Sequence, residues 1–318
     1  IGIGLYRSSR NTISHNRLDF NVRGHSPGVY NRGQDSAALL LYEQSNENTI
    51  AFNSATHSGD GLFLWAGQST MDSGEGGCND NLIYSNDFSF APTNGIEVTF
   101  SRNQIIQNRI EGCWHGIWGG YSFDTIIEGN VFVDNEEHIA VEHGQRLRVA
   151  FNSFTGGDIG LRFWERETQP ADWGYSQARN VESTGHVFTQ NNFVGVGQAF
   201  DLENTSDVTQ EANDVRATSR PADGPPAPPY VASVTTPDPL PDAIDIELPA
   251  HIRTGRNYML IDEWGPYDFR SPVLWPRSVR SDEVQTFELL GPSGVWRIAS
   301  SEGIESFSRT SGTQTAVG

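Results

Sequence analysis

Leu82-Ile83-Tyr84-Ser85-Asn86-Asp87-Phe88, Gln104-Ile105-Ile106-Gln107-Asn108-Arg109-Ile110, Ile126-Ile127-Glu128-Gly129-Asn130-Val131-Phe132 and Arg148-Val149-Ala150-Phe151-Asn152-Ser153-Phe154 are four versions of one pattern. Their asparagines stand 22 residues apart three times running. A second pattern keeps step: Gly95-Ile96-Glu97-Val98, Gly116-Ile117-Trp118, His138-Ile139-Ala140-Val141 and Gly160-Leu161-Arg162-Phe163 start 21, 22 and 22 residues apart. A fixed period of this size marks a repeat architecture. Each repeat holds short alternating strands with Gly and Asn at the corners and no helical spacing of apolar residues. One such coil cannot bury its apolar side chains alone. Stacked on the next, about 4.8 Å away, its Ile, Val and Phe make a continuous column. The corner asparagines are expected to bond up and down a column of their own.

Outside the central four repeats, Asn11-Thr12-Ile13-Ser14-His15-Asn16 and Asn48-Thr49-Ile50-Ala51-Phe52-Asn53 carry the same signature, N-x-I-x-x-N. These segments resemble the right-handed parallel β-helix family, and the resemblance covers roughly residues 1–215. It implies an all-β chain. The fold itself hosts many activities, so function has to be argued from side chains.

Residues 216–242 are rich in proline, among them Pro221, Pro225, Pro226, Pro228 and Pro229, and are expected to form a stiff linker. Beyond it, Ala243–Leu248, Asn257–Ile261, Gln285–Leu289 and Val295–Ile298 alternate with period two. The expectation for 243–318 is a small antiparallel β-sandwich of immunoglobulin-like type. Glu263-Trp264-Gly265-Pro266-Tyr267-Asp268 is expected to be a structural corner. The chain starts inside a strand, at Ile1-Gly2-Ile3-Gly4-Leu5, which suggests part of a longer chain.

The formal net charge of −19 argues against nucleic acid as a partner, because phosphates need a basic surface. No apolar run is long enough for a membrane span. A solvated protein, secreted or periplasmic, fits this balance. All 21 basic residues are arginine, which removes lysine as a base. Cys78 and Cys113 are too few for a disulfide framework and either pair or remain as buried thiols.

Strand alternation assigns the faces of the second pattern. Glu97 and Thr99 point out, then Trp118 and Gly120, Ala140 and Glu142, Arg162 and Trp164, Asp201 and Glu203; upstream the outward set is Phe63 and Trp65. Just past these strands lie Tyr121, His143 and Glu165. Two long excursions, 66–80 and 165–185, leave from the same end of the equivalent strand, and the second carries Trp173. They are expected to stand as two walls of a groove.

Exposed aromatics beside carboxylates suit sugar rings: the flat face stacks on C–H groups and the carboxylates take hydroxyls. The expected function is a secreted carbohydrate-active enzyme, a glycoside hydrolase acting on a polysaccharide through paired carboxylates. Glu142 is the expected acid, with Glu97 or Glu203 as base, Glu165 in reserve, and His143 and Arg162 close by. Phe63, Trp65, Trp118, Tyr121, Trp164 and Trp173 are the expected substrate platforms. No cofactor is required by this reading. The alternatives are a calcium-dependent uronide lyase with Arg162 as base, its calcium held by Glu142, Glu165, Asp201 and Glu203, and a non-catalytic glycan-binding or adhesin module. The polygalacturonase-like, epimerase and lysine-lyase motifs are absent: there is no Arg-Ile-Lys, no Asp-Pro-His and no lysine.

Overall fold

The computed structural model describes residues 1–22, 25–26, 30–31, 36–216, 235–236, 258–262, 265–267, 269–276 and 284–315. The expected linker, the expected strand Ala243–Leu248 and the residues Glu263, Trp264 and Asp268 lie outside it, save for scattered linker positions.

The described residues between 1 and 216 wind into stacked coils. Two parallel sheets of eight strands run the length of the stack, and a third of five strands joins them from Arg109 to Arg216. The face that carries the second pattern is built from Ile3–Tyr6, Leu39–Tyr42, Leu62–Trp65, Asn94–Val98, His115–Trp118, Glu137–Glu142, Ile159–Trp164 and Gln198–Glu203, in that spatial order. Here it is called the front sheet. Strand order equals chain order, so each coil touches only its neighbours.

The interior follows from the alternation. Ile13, Ile50, Ile83, Ile105, Ile127, Val149 and Phe188 are in register in successive coils. All but Ile13, at 7 % exposure, are fully buried. A second column stacks Phe132 on Phe154 and Phe154 on Phe193, with ring centroids 4.9 and 4.6 Å apart. Burying one such side chain contributes roughly 1.5–3 kcal/mol, and a column repeats that gain at each coil.

The asparagine corner forms one column of eight residues: Asn16, Asn53, Asn86, Asn108, Asn130, Asn152, Asn191 and Asn213. In each link the backbone N–H and the Nδ2 of one asparagine donate to the Oδ1 of the next, at 2.8–3.1 Å. The preceding residue takes left-handed backbone angles to make the bend: Phe52, Ser85, Gln107, Phe151 and Gln190 have φ of 50–58°, and Gly129 fills the place once at 65°. Non-glycine residues accept this region only at some strain, and the amide column holds them there.

The described C-terminal residues form antiparallel pairs, Val273–Pro276 with Phe287–Leu290 and Gly294–Arg297 with Ser311–Gln314. Leu260, Tyr267, Phe269, Trp275 and Leu290 make a small core. Cys78 and Cys113 are both buried and form no disulfide, and desolvation pushes the Cys78 thiol up to about 12.

Candidate functional site

The front sheet presents two adjacent outward columns. One reads Leu40, Phe63, Glu97, Trp118, Ala140, Arg162, Asp201. In the other, Tyr6, Tyr42 and Trp65 follow one another, and further along Glu142, Trp164 and Glu203 do. Phe63, Trp65, Trp118 and Trp164 are half-buried on this face, where alternation puts them. Tyr6, Tyr42 and Trp65 make a ring row with centroids 5.4 and 5.3 Å apart. The Trp118 and Trp164 rings lie 5.6 Å apart, and the small Ala140, between Trp118 and Arg162 in register, is fully buried.

Glu97 lies between Phe63 and Trp118 in register and is only 7 % exposed. One carboxyl oxygen accepts a 2.9 Å bond from Asn94 Nδ2. Burial raises the carboxyl well above the usual range, and the nearby Asp60 raises it further. Asp60 is itself fully buried; it accepts bonds from the Thr93 hydroxyl and the Asn94 backbone N–H, yet desolvation still pushes it up to about 6. Its second oxygen has no hydrogen-bond partner. Two neighbouring carboxyls in a dry site thus disfavour each other's ionisation.

From Asn94 a polar chain crosses the sheet. Its side-chain oxygen faces His115 Nδ1 at 2.9 Å, and His115 Nε2 is 3.6 Å from Glu137. Arg162 joins Glu137 at 2.5 Å and Asp201 at 3.6 Å. Burial, then the charge of Arg162, pushes His115 down to about 4, so the imidazole is neutral near pH 7. Trp114, 47 % exposed, stacks on the His115 ring at 4.4 Å.

Glu142 is 5 % exposed and fully engaged. Arg166 grips both its oxygens, and Trp164 Nε1 donates to one of them at 3.1 Å. Arg162 lies over the Trp164 ring at 4.8 Å. The Trp164 indole is therefore held at its N–H by Glu142 and at its face by a guanidinium. Glu142 pairs with Arg166, while Arg162, in register with Ala140 and not with Glu142, turns to Glu137 and Asp201.

Four expectations are corrected. His143 and Tyr121 are not on the open face; they are 2 % and 4 % exposed at the sheet edge. Tyr121 stacks between Phe100 and His143, and its hydroxyl donates to Gln169 at 2.7 Å. His143 Nδ1 bonds the Val181 carbonyl, so both rings bolt down the second excursion. Trp173 joins that cluster with Phe100, Tyr121 and Tyr175 instead of forming a sugar platform. Glu165 accepts the Ser183 N–H and closes the base of the excursion. Finally, the excursions leave no groove between them. Their short helices, α1 (Gln68–Ser73) and α2 (Gly174–Ala178), touch each other, and Arg179 donates to the Gly74 carbonyl. At Gly174 a Cβ would fall 1.7 Å from the Asp72 carbonyl oxygen, so only glycine allows this approach. Together they form one wall along the C-terminal edge of the front sheet. Glu203 stays exposed at the end of its column.

Alternation misses Asp60, Asn94, His115, Glu137, Trp114 and Arg166. Asn94 and Glu97 share a face although three residues apart. The strands kink at Gly61, Gly95, Gly116 and Gly160, where an added Cβ would lie 2.5–2.8 Å from a carbonyl oxygen of the next coil. The repeated glycine two residues before each outward residue was the available signal.

A shallow depression at the asparagine corner is lined by Phe52, Ser54, Ser85, Asp87, Gln107 and Arg109. It lacks the paired carboxyls and tryptophans of the front sheet. Among the described residues no three His, Cys, Asp or Glu side chains gather in a way that would hold a metal ion, so the calcium alternative finds no ligand set there.

The class defined by these observations is a parallel β-solenoid with an aromatic and acidic face. A family model described as "Right handed beta helix region" matches residues 1–171 and 76–219, and the chain belongs to that family. The fold is common among enzymes that act on polysaccharides. Among curated proteins, 3-dehydroshikimate dehydratase from Acinetobacter baylyi (strain ATCC 33305 / BD413 / ADP1) is 27 % identical over 175 residues, 48 % of this chain and 32 % of that protein. The chain thus spans about a third of the length of the curated relative it matches.

Proposed function

We propose that this chain is the catalytic solenoid of a carbohydrate-active enzyme, a glycoside hydrolase that binds a polysaccharide on its front sheet. The observation that carries the reading is Glu97: a carboxyl raised well above the usual range by burial and by Asp60, set between Phe63 and Trp118 on a surface of half-exposed rings. Glycoside cleavage needs a proton donor at the leaving oxygen and an ionised carboxylate across the bond. Glu97 is the donor. Glu142, two coils on and in the neighbouring outward column, two residues along the strand from Ala140, is the carboxylate; the two backbone positions are about 12 Å apart, so the side chains have to lean together by about 2–3 Å to reach the roughly 6.5–9.5 Å of an inverting pair. Arg166 and the Trp164 N–H occupy three of its acceptor positions and fix its orientation. The acid and base roles are thus exchanged relative to the expectation from sequence. Trp164, Trp118 and Trp65 support sugar rings. The reading places the protein outside the cytoplasm, secreted or periplasmic, where polysaccharides are met, with neither nucleic acid nor membrane as partner.

The test is release of reducing ends from a panel of polysaccharides. Glu97→Gln, which keeps the Asn94 bond and removes the proton, should lower the rate by about 10²–10⁴-fold. A variant as active as wild type sinks the assignment, and a wild-type protein that binds glycans but releases nothing is a binding module. A second reading rests on the likeness to 3-dehydroshikimate dehydratase. Expelling a hydroxyl as water also needs a proton donor, and Glu97 supplies one. Dehydration of a small hydroxylated acid, with no reducing ends formed, would favour it.

A further inference from the structure

Whether the front sheet takes charged or uncharged sugars follows from how its cations are employed. Glu137, Glu142, Asp201 and Glu203 stand on it against two guanidinium groups, Arg162 and Arg166. Neither guanidinium is free. Arg166 forks onto both oxygens of Glu142, a geometry that uses up its paired donors. Arg162 spans Glu137 and Asp201, and its Cζ lies over the Trp164 ring at 4.8 Å. His115 adds no charge near neutral pH, since burial holds it in the neutral form. A sugar carboxylate arriving here would meet surplus negative charge and would have to break an existing ion pair to find a cation. Like charges brought together in this way are a strong discriminator against a ligand.

The same surface is well matched to sugars without acid groups. Hydroxyl groups donate, and carboxylates are acceptors only. Glu203 is exposed, so acceptor capacity remains at the end of its column. Trp118 and Trp164 offer ring faces that do not depend on charge. We infer that the front sheet selects glycans free of carboxylate and sulfate groups, neutral or amino-substituted, and rejects polyuronates. This rests on the reading of the face as a glycan site, and deepens it.

Affinity electrophoresis and calorimetry of the full chain separate the two claims. The probes are neutral oligosaccharides (cello-, xylo- and manno- series), chitosan oligosaccharides, polygalacturonate and alginate. At least one uncarboxylated probe should bind, and Trp164→Ala should weaken it at least tenfold. Polygalacturonate and alginate should bind at least tenfold more weakly, and Glu203→Arg should narrow that gap. If the polyuronates bind as tightly as the others and Trp164→Ala still abolishes binding, the face is a glycan site and the inference about charge is wrong. If no probe binds, or if Trp164→Ala changes nothing, the glycan site itself falls.

Discussion

Two corners of each coil use the same backbone device for opposite ends. At the asparagine corner and at the rim of the front sheet the chain turns through a left-handed residue. Gln107, Phe151 and Gln190 do so at the first, and Phe100, Tyr121 and His143 at the second, with φ of 53–57° throughout. At the first corner the next residue is always asparagine, and its amide satisfies the coil above. Nothing is left over, and no insertion enters there between Asn86 and Asn152. At the rim the left-handed residues differ in each coil. Their rings stack, Phe100 on Tyr121 at 4.7 Å and Tyr121 on His143 at 4.8 Å, and hold two inserted helices. One insertion returns Arg166 to Glu142 and so sets Trp164. Repetition makes the solenoid stable; departure from it makes a site.

That contrast can be broken. Phe154→Ala empties the centre of a stacked column and should destabilise by about 3–5 kcal/mol in a urea titration, with no specific change in glycan affinity. A comparable loss from a rim substitution would mean that the rim is part of the core. Next comes Asn130→Ala, which strands the Asn108 donors and the Ile105 carbonyl. The expected loss is about 3 kcal/mol, the sum of more than one unsatisfied buried group at ~1–3 kcal/mol each. A loss below about 1 kcal/mol would show that the column is not a structural necessity.

The third test is acidification. Burial lowers His57, His115, His138 and His186 to about 4 in the folded state, against an ordinary value of 6.5. The unfolded chain binds protons first, so the stability these groups contribute is present above pH 6.5 and is lost as pH falls toward 4. Asp60 works in the other direction: its folded value, about 6, lies above its ordinary 3.8, so protonation favours the fold in that window. Thermal melts should therefore shift downward between pH 6.5 and 4, and Asp60→Asn should make the shift steeper. A melting temperature flat across the window would contradict the neutral histidines. The smallest effect is expected for Tyr121→Phe, which removes one hydroxyl bond to Gln169, worth about 1 kcal/mol. It should sharpen the picture of the rim as an anchor: hydrogen exchange in residues 165–185 should rise while the asparagine corner stays protected.

The alternation and the 22-residue spacing were enough to name the coils, the asparagine column and the outward positions of Phe63, Trp65, Glu97, Trp118, Glu142 and Trp164. Each is a local property of one strand, repeated in register. Two kinds of information were not local. The first was which residue meets which across coils: Arg166 rather than Arg162 reaches Glu142, because the excursion folds back onto the preceding coil. The second was depth. Tyr121 and His143 follow outward positions and still lie buried, since the excursions fold over them. Glu97, on an outward position, is raised well above the usual carboxyl range by burial and then by the charge of Asp60, thirty-seven residues earlier, which the stacking brings beside it. Sequence periodicity determined the direction of each side chain. Only tertiary structure decided its surroundings, because solvent access and the charge of a neighbour depend on chain segments that share no local pattern with it.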